Sequence, residues 1–258
     1  MTGLFDISGK VALVTGGAQG LGRMIAEGLV RAGARVYITS RKADICEQTA
    51  RELSEFGECF PIPADLTTPE AATALVNEIK SRESVVHILI NNAGKTWGAP
   101  LESFPDKAWA SVMAVNVQGP FTLVRDLLPL LKAGATAENP ARVINIGSLA
   151  GAKAERLSAY SYSASKAAIH HLSKVLAADL AESHITVNAV VLGYFPTQMT
   201  AHIRKEDDET QKLLARVPLG RLGTPEDIVG LITFLSSRAG AYVTGSEMYL
   251  DGGLSGCA

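Results

Sequence analysis

The chain has little of what marks several classes of protein. Its 258 residues include only three cysteines, Cys46, Cys59 and Cys257, an odd and scattered set. That pattern suits neither a disulfide framework nor a zinc site. Free thiols belong in a reducing compartment, so the sequence reads as cytoplasmic. No uninterrupted apolar run approaches the length a membrane-spanning helix needs. Met1–Lys10 carries Asp6 and no apolar stretch, so no secretory signal is expected. The formal net charge is −2 and there is no arginine-rich run, which leaves no electrostatic footprint for nucleic acid. The histidines do not join Cys, Asp or Glu at ligand spacing, so no metal is expected. Among them, His170 and His171 read as surface or packing residues. No Pro/Gly/Ser-rich linker and no regular repeat divides the chain, so residues 1–258 are read as one domain.

What is present is apolar sequence in short pieces. Hydrophobic residues make up 47% against 19% charged, with 24 glycines, the balance of a large core with many tight turns. Strand-like runs fall at Val11–Thr15, Arg35–Thr39, Cys59–Ile62, His87–Ile90, Arg142–Ile146, Ile185–Val191 and Glu247–Leu250. Helical patterns fill the gaps, the first through Ile25, Leu29 and Val30 to Gly33. Strands apolar on both faces, alternating with amphipathic helices, predict an α/β fold with a doubly wound, seven-stranded parallel sheet. The stretch from Gly193 to Val217 breaks the pattern and turns charged at Arg204–Glu209. It reads as a solvated excursion that can serve as a lid over a pocket.

Two motifs carry chemistry. Thr15–Gly22 reads TGGAQGLG between the first strand and the first helix. Gly16, Gly20 and Gly22 allow a tight turn and close approach of backbone to phosphate, and the helix N-terminus offers free N–H groups to an anion. The residues between, Gln19 and Leu21, lie on the same loop. The second motif is Tyr162 with Lys166, four apart and so on one face of a helix. A cation beside a phenol favours the phenolate, and the pair is expected to have a lowered tyrosine pKa.

With the loop spacing TGxxxGxG, this pair resembles the short-chain dehydrogenase/reductase family, and the resemblance runs over essentially the whole chain. Asn91–Gly94 matches its NNAG motif, Asn116 its helix asparagine, Ser148 its catalytic serine, Asp65 its adenine-edge residue and Asp251–Gly253 its C-terminal turn. The resemblance implies that Tyr162 exchanges the proton and that Lys166 lowers its pKa and holds the nicotinamide ribose. Ser148 would bond the substrate oxygen, and Asn116 would hold a water linked to Lys166. It implies cofactor contacts at Asp65, Leu66, Asn92, Ala93, Gly94, Gly193 and Thr197, and a homotetramer. Two positions depart from the family. The Ser148–Tyr162 interval is one residue longer than usual, and Leu192–Gly193 replaces Pro-Gly, which is expected to loosen the turn at the nicotinamide.

After the second strand, where NAD enzymes usually place an acid, stand Ser40, Arg41 and Lys42. A serine and a guanidinium suit a 2′-phosphate, so NADP(H) is expected, with NAD(H) possible because Gln19 occupies the place of a second basic hallmark. For the substrate, Thr96–Ala99, ENPARVINIGS at 138–148, and Phe195–Pro196 with Met199–Thr200 resemble β-ketoacyl reductases of the rhamnolipid type. That branch implies reduction of a 3-oxoacyl thioester, with Trp97, Tyr160, Tyr194, Phe195 and Met199 lining an acyl tunnel. A sugar-acid or polyol ketone is the enzymatic alternative. A non-catalytic dinucleotide-binding protein is the alternative of another class.

Overall fold

The computed structural model describes residues 3–155, 157–196 and 207–257. Seven strands form one sheet: β1 (Val11–Val14), β2 (Arg35–Ile38), β3 (Cys59–Pro61), β4 (Ile88–Asn91), β5 (Ala141–Ile146), β6 (Ile185–Leu192) and β7 (Glu247–Leu250). Their order is β3-β2-β1-β4-β5-β6-β7, and every neighbouring pair is parallel. All seven expected strands are found, most of them shifted at one or both ends by a single residue. Thr15 and Thr39 fall just beyond β1 and β2, where their hydroxyls accept the N–H groups of Asn92 and Gly16.

The helices are α1 (Gly20–Arg31), α2 (Ala43–Leu53), α3 (Pro69–Arg82), α4 (Lys107–Met113), α5 (Gly119–Ala133), α6 (Tyr160–Leu180), α7 (Asp207–Leu214) and α8 (Pro225–Ser236). They cover both faces, as buried parallel strands require. Alternate strand residues divide between two cores. Ala12, Val14, Ile88 and Ile90 pack with Ile25 and Leu29 of α1 and with Ile228 and Ile232 of α8. Leu13, Leu89 and Val143 pack with Leu75 and Ile79 of α3, Leu127 of α5 and Leu176 of α6. The chain runs outward from β1 to β3, then returns to place β4 on the other side of β1. That reversal opens a crevice at the C-terminal ends of β1 and β4, where doubly wound sheets bind ligands.

Arg142 of β5 anchors the opposite end of the sheet. It is 1% exposed, and its guanidinium donates to the carbonyls of Leu235 (2.9 Å), Ser237 (2.8 Å) and Pro140. The first two close the C-terminal end of α8, where unpaired carbonyls and the negative end of the helix dipole gather. Burial pulls the guanidinium pKa down to about 10, so it remains charged at neutral pH. Arg142→Met should leave these carbonyls buried without a donor and cost about 2–4 kcal/mol, lowering Tm by roughly 5–15 °C in calorimetry. An unchanged Tm would show that α8 is held by its apolar contacts alone.

Candidate functional site

A cavity of about 710 Å³ opens at the crevice. Its floor is set by a clamp between the loops after β1 and β4. The Thr15 hydroxyl accepts the N–H groups of Asn92 (2.9 Å) and Ala93 (3.0 Å) and donates to the Ile90 carbonyl. The Asn92 amide donates in return to the carbonyls of Thr15 (2.9 Å) and Gly16 (3.2 Å). Two glycines are required here. Gly16 has φ +65°, and a Cβ on Gly22 would lie 2.2 Å from the Gly16 oxygen and 2.4 Å from Asn92 Nδ2. The first turn of α1 holds no acidic residue and no side-chain cap, so its N–H groups face the cavity unblocked.

Ser148, Tyr162 and Lys166 meet in the same cavity. Ser148 follows β5, and Tyr162 and Lys166 lie one turn apart on α6. The Ser148 hydroxyl favours the Tyr162 phenolate, and Lys166 Nζ is 5.6 Å from the centre of the Tyr162 ring. Here the structure differs from the expected lowered phenol. Burial raises the Tyr162 pKa, and the Ser148 hydroxyl offsets only part of that. The Lys166 ammonium is engaged with the Ile146 carbonyl at 2.7 Å, and burial lowers its own pKa to about 8. The cost of burying charge outweighs the pairing, because both groups sit away from water.

Asn116 lies in a single π turn, Ala114–Gln118, between α4 and α5. Its amide accepts from the Lys95 N–H (2.8 Å) and donates to the Lys95 carbonyl (2.9 Å) and to Ser165 (2.9 Å). It thus fixes the backbone after Asn92–Gly94 from behind the cavity wall. Gly94 lies beside both groups: its added Cβ would be 3.7 Å from Asn116 Oδ1 and 3.9 Å from Lys166 Nζ.

The cavity wall takes in Gly16, Gln19, Gly20, Leu21, Gly22, Ser40, Arg41, Asp65, Leu66, Asn92, Ala93, Gly94 and Gly193. Ser40 Oγ accepts the Lys42 N–H at 3.3 Å, a turn that leaves Arg41 on the wall. Thr197 and Met199 lie outside the described residues. Tyr194 and Phe195 line the cavity, whereas Trp97 and Tyr160 do not. Tyr160 is two residues before Tyr162, so the helix turns it elsewhere, edge-on to Phe104 at 5.2 Å. Trp97 points outward between Thr96 and Gly98, which face in. The turn without proline is held in another way. Gly193 donates to the Leu250 carbonyl at 3.0 Å and packs so closely on Asp251 that a Cβ would lie 2.7 Å from its Cα.

Sequence reasoning missed three residues of the wall or its support. Lys95 lines the cavity, and its place directly after Asn91–Gly94 was the available signal. Glu155 also lines it; its carboxylate accepts from the Tyr194 hydroxyl (3.0 and 3.2 Å) and lies 3.6 Å from Arg216. Burial first and Glu155 second push the Tyr194 pKa up to about 12. Nothing local in the sequence joins these two loops. His170, expected at the surface or in packing, is buried, and the role that sequence reasoning missed is that its Nε2 accepts the Ser148 N–H at 3.3 Å. Among the described residues, no three His, Cys, Asp or Glu side chains group as a metal would require, and no helix is long and apolar enough to cross a membrane.

Comparison with known proteins agrees with this geometry. Residues 16–255 match a family model described as enoyl-(acyl carrier protein) reductase. The chain is 48% identical over 249 residues to the rhamnolipids biosynthesis 3-oxoacyl-[acyl-carrier-protein] reductase of Pseudomonas aeruginosa, covering 96% of this chain and 97% of that protein. The solved Pseudomonas aeruginosa RhlG/NADP active-site complex superposes with a TM-score of 0.95 at 47% identity, over 98% of this chain and 99% of that one. Gluconate 5-dehydrogenase of Gluconobacter oxydans is 34% identical, over 98% of this chain and 97% of that protein. With relatives matched along nearly its whole length, the chain belongs to the short-chain dehydrogenase/reductase family.

Proposed function

We propose that this protein is an NADP(H)-dependent carbonyl reductase that converts a 3-oxoacyl thioester to the 3-hydroxyacyl thioester. The observation that carries this reading is the meeting of Ser148, Tyr162 and Lys166 in the cavity that also takes in the glycine-rich loop. The relatives named above, a 3-oxoacyl reductase and an NADP complex at nearly half identity, support it.

The residues present suit the cofactor. The Gly22 cradle would be filled by any Cβ, the open N-terminus of α1 suits a pyrophosphate, and Ser40 with Arg41 suits a 2′-phosphate. Asp65 and Leu66 would border the adenine, Asn92–Gly94 and Lys166 the riboses, and Gly193 with Thr197 the carboxamide. When bound, the reduced nicotinamide supplies the hydride for the carbonyl carbon. Tyr162 gives the proton to the carbonyl oxygen. Its raised pKa keeps the phenol protonated at neutral pH, which suits an acid in the reductive direction. Ser148 Oγ accepts the Ala150 N–H at 3.3 Å, leaving its own proton to donate to the same oxygen as charge develops there. Asn116 holds Lys95 and, with water, would return protons to Lys166.

A sugar-acid ketone is the second reading. Lys95, Glu155 and the Tyr194 hydroxyl give the wall polar groups that an acyl tunnel does not need, and relatives named for gluconate chemistry share the fold. We further propose that residues 193–217 act as a lid. Tyr194 and Phe195 already form wall, and Arg216 reaches Glu155. A homotetramer fits the exposed Trp109 and Phe121 on α4 and α5. A cytoplasmic location fits the free thiols of Cys46, Cys59 and Cys257.

Purified protein should oxidise NADPH rapidly with acetoacetyl-CoA and NADH slowly, followed by loss of cofactor absorbance. Turnover of 5-ketogluconate alone would move the assignment to the second reading. Ser40→Asp should weaken NADPH use roughly 10–100-fold, by placing a carboxylate against the 2′-phosphate. Tyr162→Phe should cut kcat by about 10²–10⁴ while NADPH titration by fluorescence stays unchanged. Near-normal turnover would remove Tyr162 from its role. Lys166 is charged below about pH 8 and loses its proton above it. Affinity for the anionic cofactor should therefore hold through neutral pH and weaken as pH rises past 8, and a flat profile from pH 7 to 9.5 would contradict this.

A further inference from the structure

Tyr162, Lys166, His170 and Lys174 follow one another at four-residue intervals, forming a stripe along one face of α6. The first two belong to the reaction already described. The third is 3% exposed and packs under the residue that faces Tyr162 across the cavity. His170 Nε2 accepts the backbone N–H of Ser148 at 3.3 Å. The fit is tight: a Cβ on Gly147 would lie 2.2 Å from His170 Nε2, so the ring needs glycine beside it. A nitrogen that accepts a hydrogen bond is unprotonated, so the imidazole proton resides on Nδ1. That nitrogen is 4.0 Å from Glu247 Oε2 at the start of β7. Glu247 is itself held by Lys174 (2.6 Å) and by the Tyr249 hydroxyl (3.0 Å).

We propose that His170 is a positioning residue for Ser148, whose neutral imidazole holds the serine backbone in register with Tyr162 and whose protonation by acid releases it. This rests on the carbonyl reductase reading only in assigning Ser148 to the reaction. An imidazolium has two donors and no acceptor, so the Ser148 N–H would face N–H rather than a lone pair. The groups around the ring act in both directions. Burial, Lys166 and Lys174 disfavour the imidazolium, and Glu247 favours it. Burial is the largest, so the His170 pKa is lowered and the ring is neutral at neutral pH. Reduction should therefore lose kcat, rather than gain KM, as pH falls from 7 toward 5.

The test compares wild type with His170→Gln and His170→Leu in pH profiles of kcat and KM from pH 5 to 9, with NADPH affinity measured alongside. Gln can place an amide oxygen near the Nε2 position and does not titrate. It should restore most of the turnover at pH 7.5 and abolish the acid loss in kcat. Leu removes the acceptor and should lower kcat about 10–100-fold with NADPH affinity unchanged. An acid loss that persists in the Gln variant, or a folded Leu variant within threefold of wild-type kcat, overturns the proposal. The profiles are recorded on acetoacetyl-CoA and on 5-ketogluconate, so turnover of only the second sinks the thioester reading and leaves this comparison intact. The Ser148 amide resonance in ¹⁵N-labelled protein gives a readout without any substrate. It should move between pH 7.5 and 5 in wild type and stay in place in the Gln variant; a resonance unmoved in wild type overturns the proposal.

Discussion

The site depends on the clamp between Thr15 and Asn92. β1 and β4 are adjacent in the sheet but far apart in the chain, and their following loops diverge at the crevice. One hydroxyl and one carboxamide hold those loops together through five hydrogen bonds, counting that from Thr15 to Ile90. Because backbone groups at the mouth of a crevice have no ladder to satisfy them, side chains must supply the partners. The clamp also sets how near Gly16 comes to Gly22, and so the shape of the anion cradle at the N-terminus of α1.

A second constraint is the cost of charge in a site largely removed from water. Lys166 is buried and is held by the Ile146 carbonyl. The consequence is a lysine that titrates near 8 and a phenol held in its protonated form. Both follow from solvation rather than from pairing. The same physics keeps His170 neutral behind Ser148. A site of this kind favours groups that donate protons and bind anions over groups that carry free charge.

Much of the architecture was legible from periodicity. Short apolar runs that alternate with amphipathic helical patterns fit strands of a covered parallel sheet, and seven were readable with their ends good to about a residue. The glycine loop and the Tyr162–Lys166 pair were legible for a similar reason: each is local, and each has chemistry tied to spacing. Trp97 was misplaced because an aromatic residue near a motif carries no sign of which way it points, whereas Tyr160, two positions before Tyr162, falls on another helix face and takes a packing place. Tyr160 turns to Phe104, a neighbour more than fifty positions earlier.

The sequence by itself determined the element order, the glycine cradle, the serine–tyrosine–lysine set and the absence of an acid at the end of β2. These are encoded within a few residues, where backbone geometry follows directly from residue type. Only the tertiary structure decided the ionisation of Tyr162, the bracing of Gly193 by Asp251, the Glu155–Tyr194 contact and the place of His170 beneath Ser148. Each depends on segments brought together across the sheet, and on how much water remains between them. Neither proximity nor solvation is a property of a local stretch of chain.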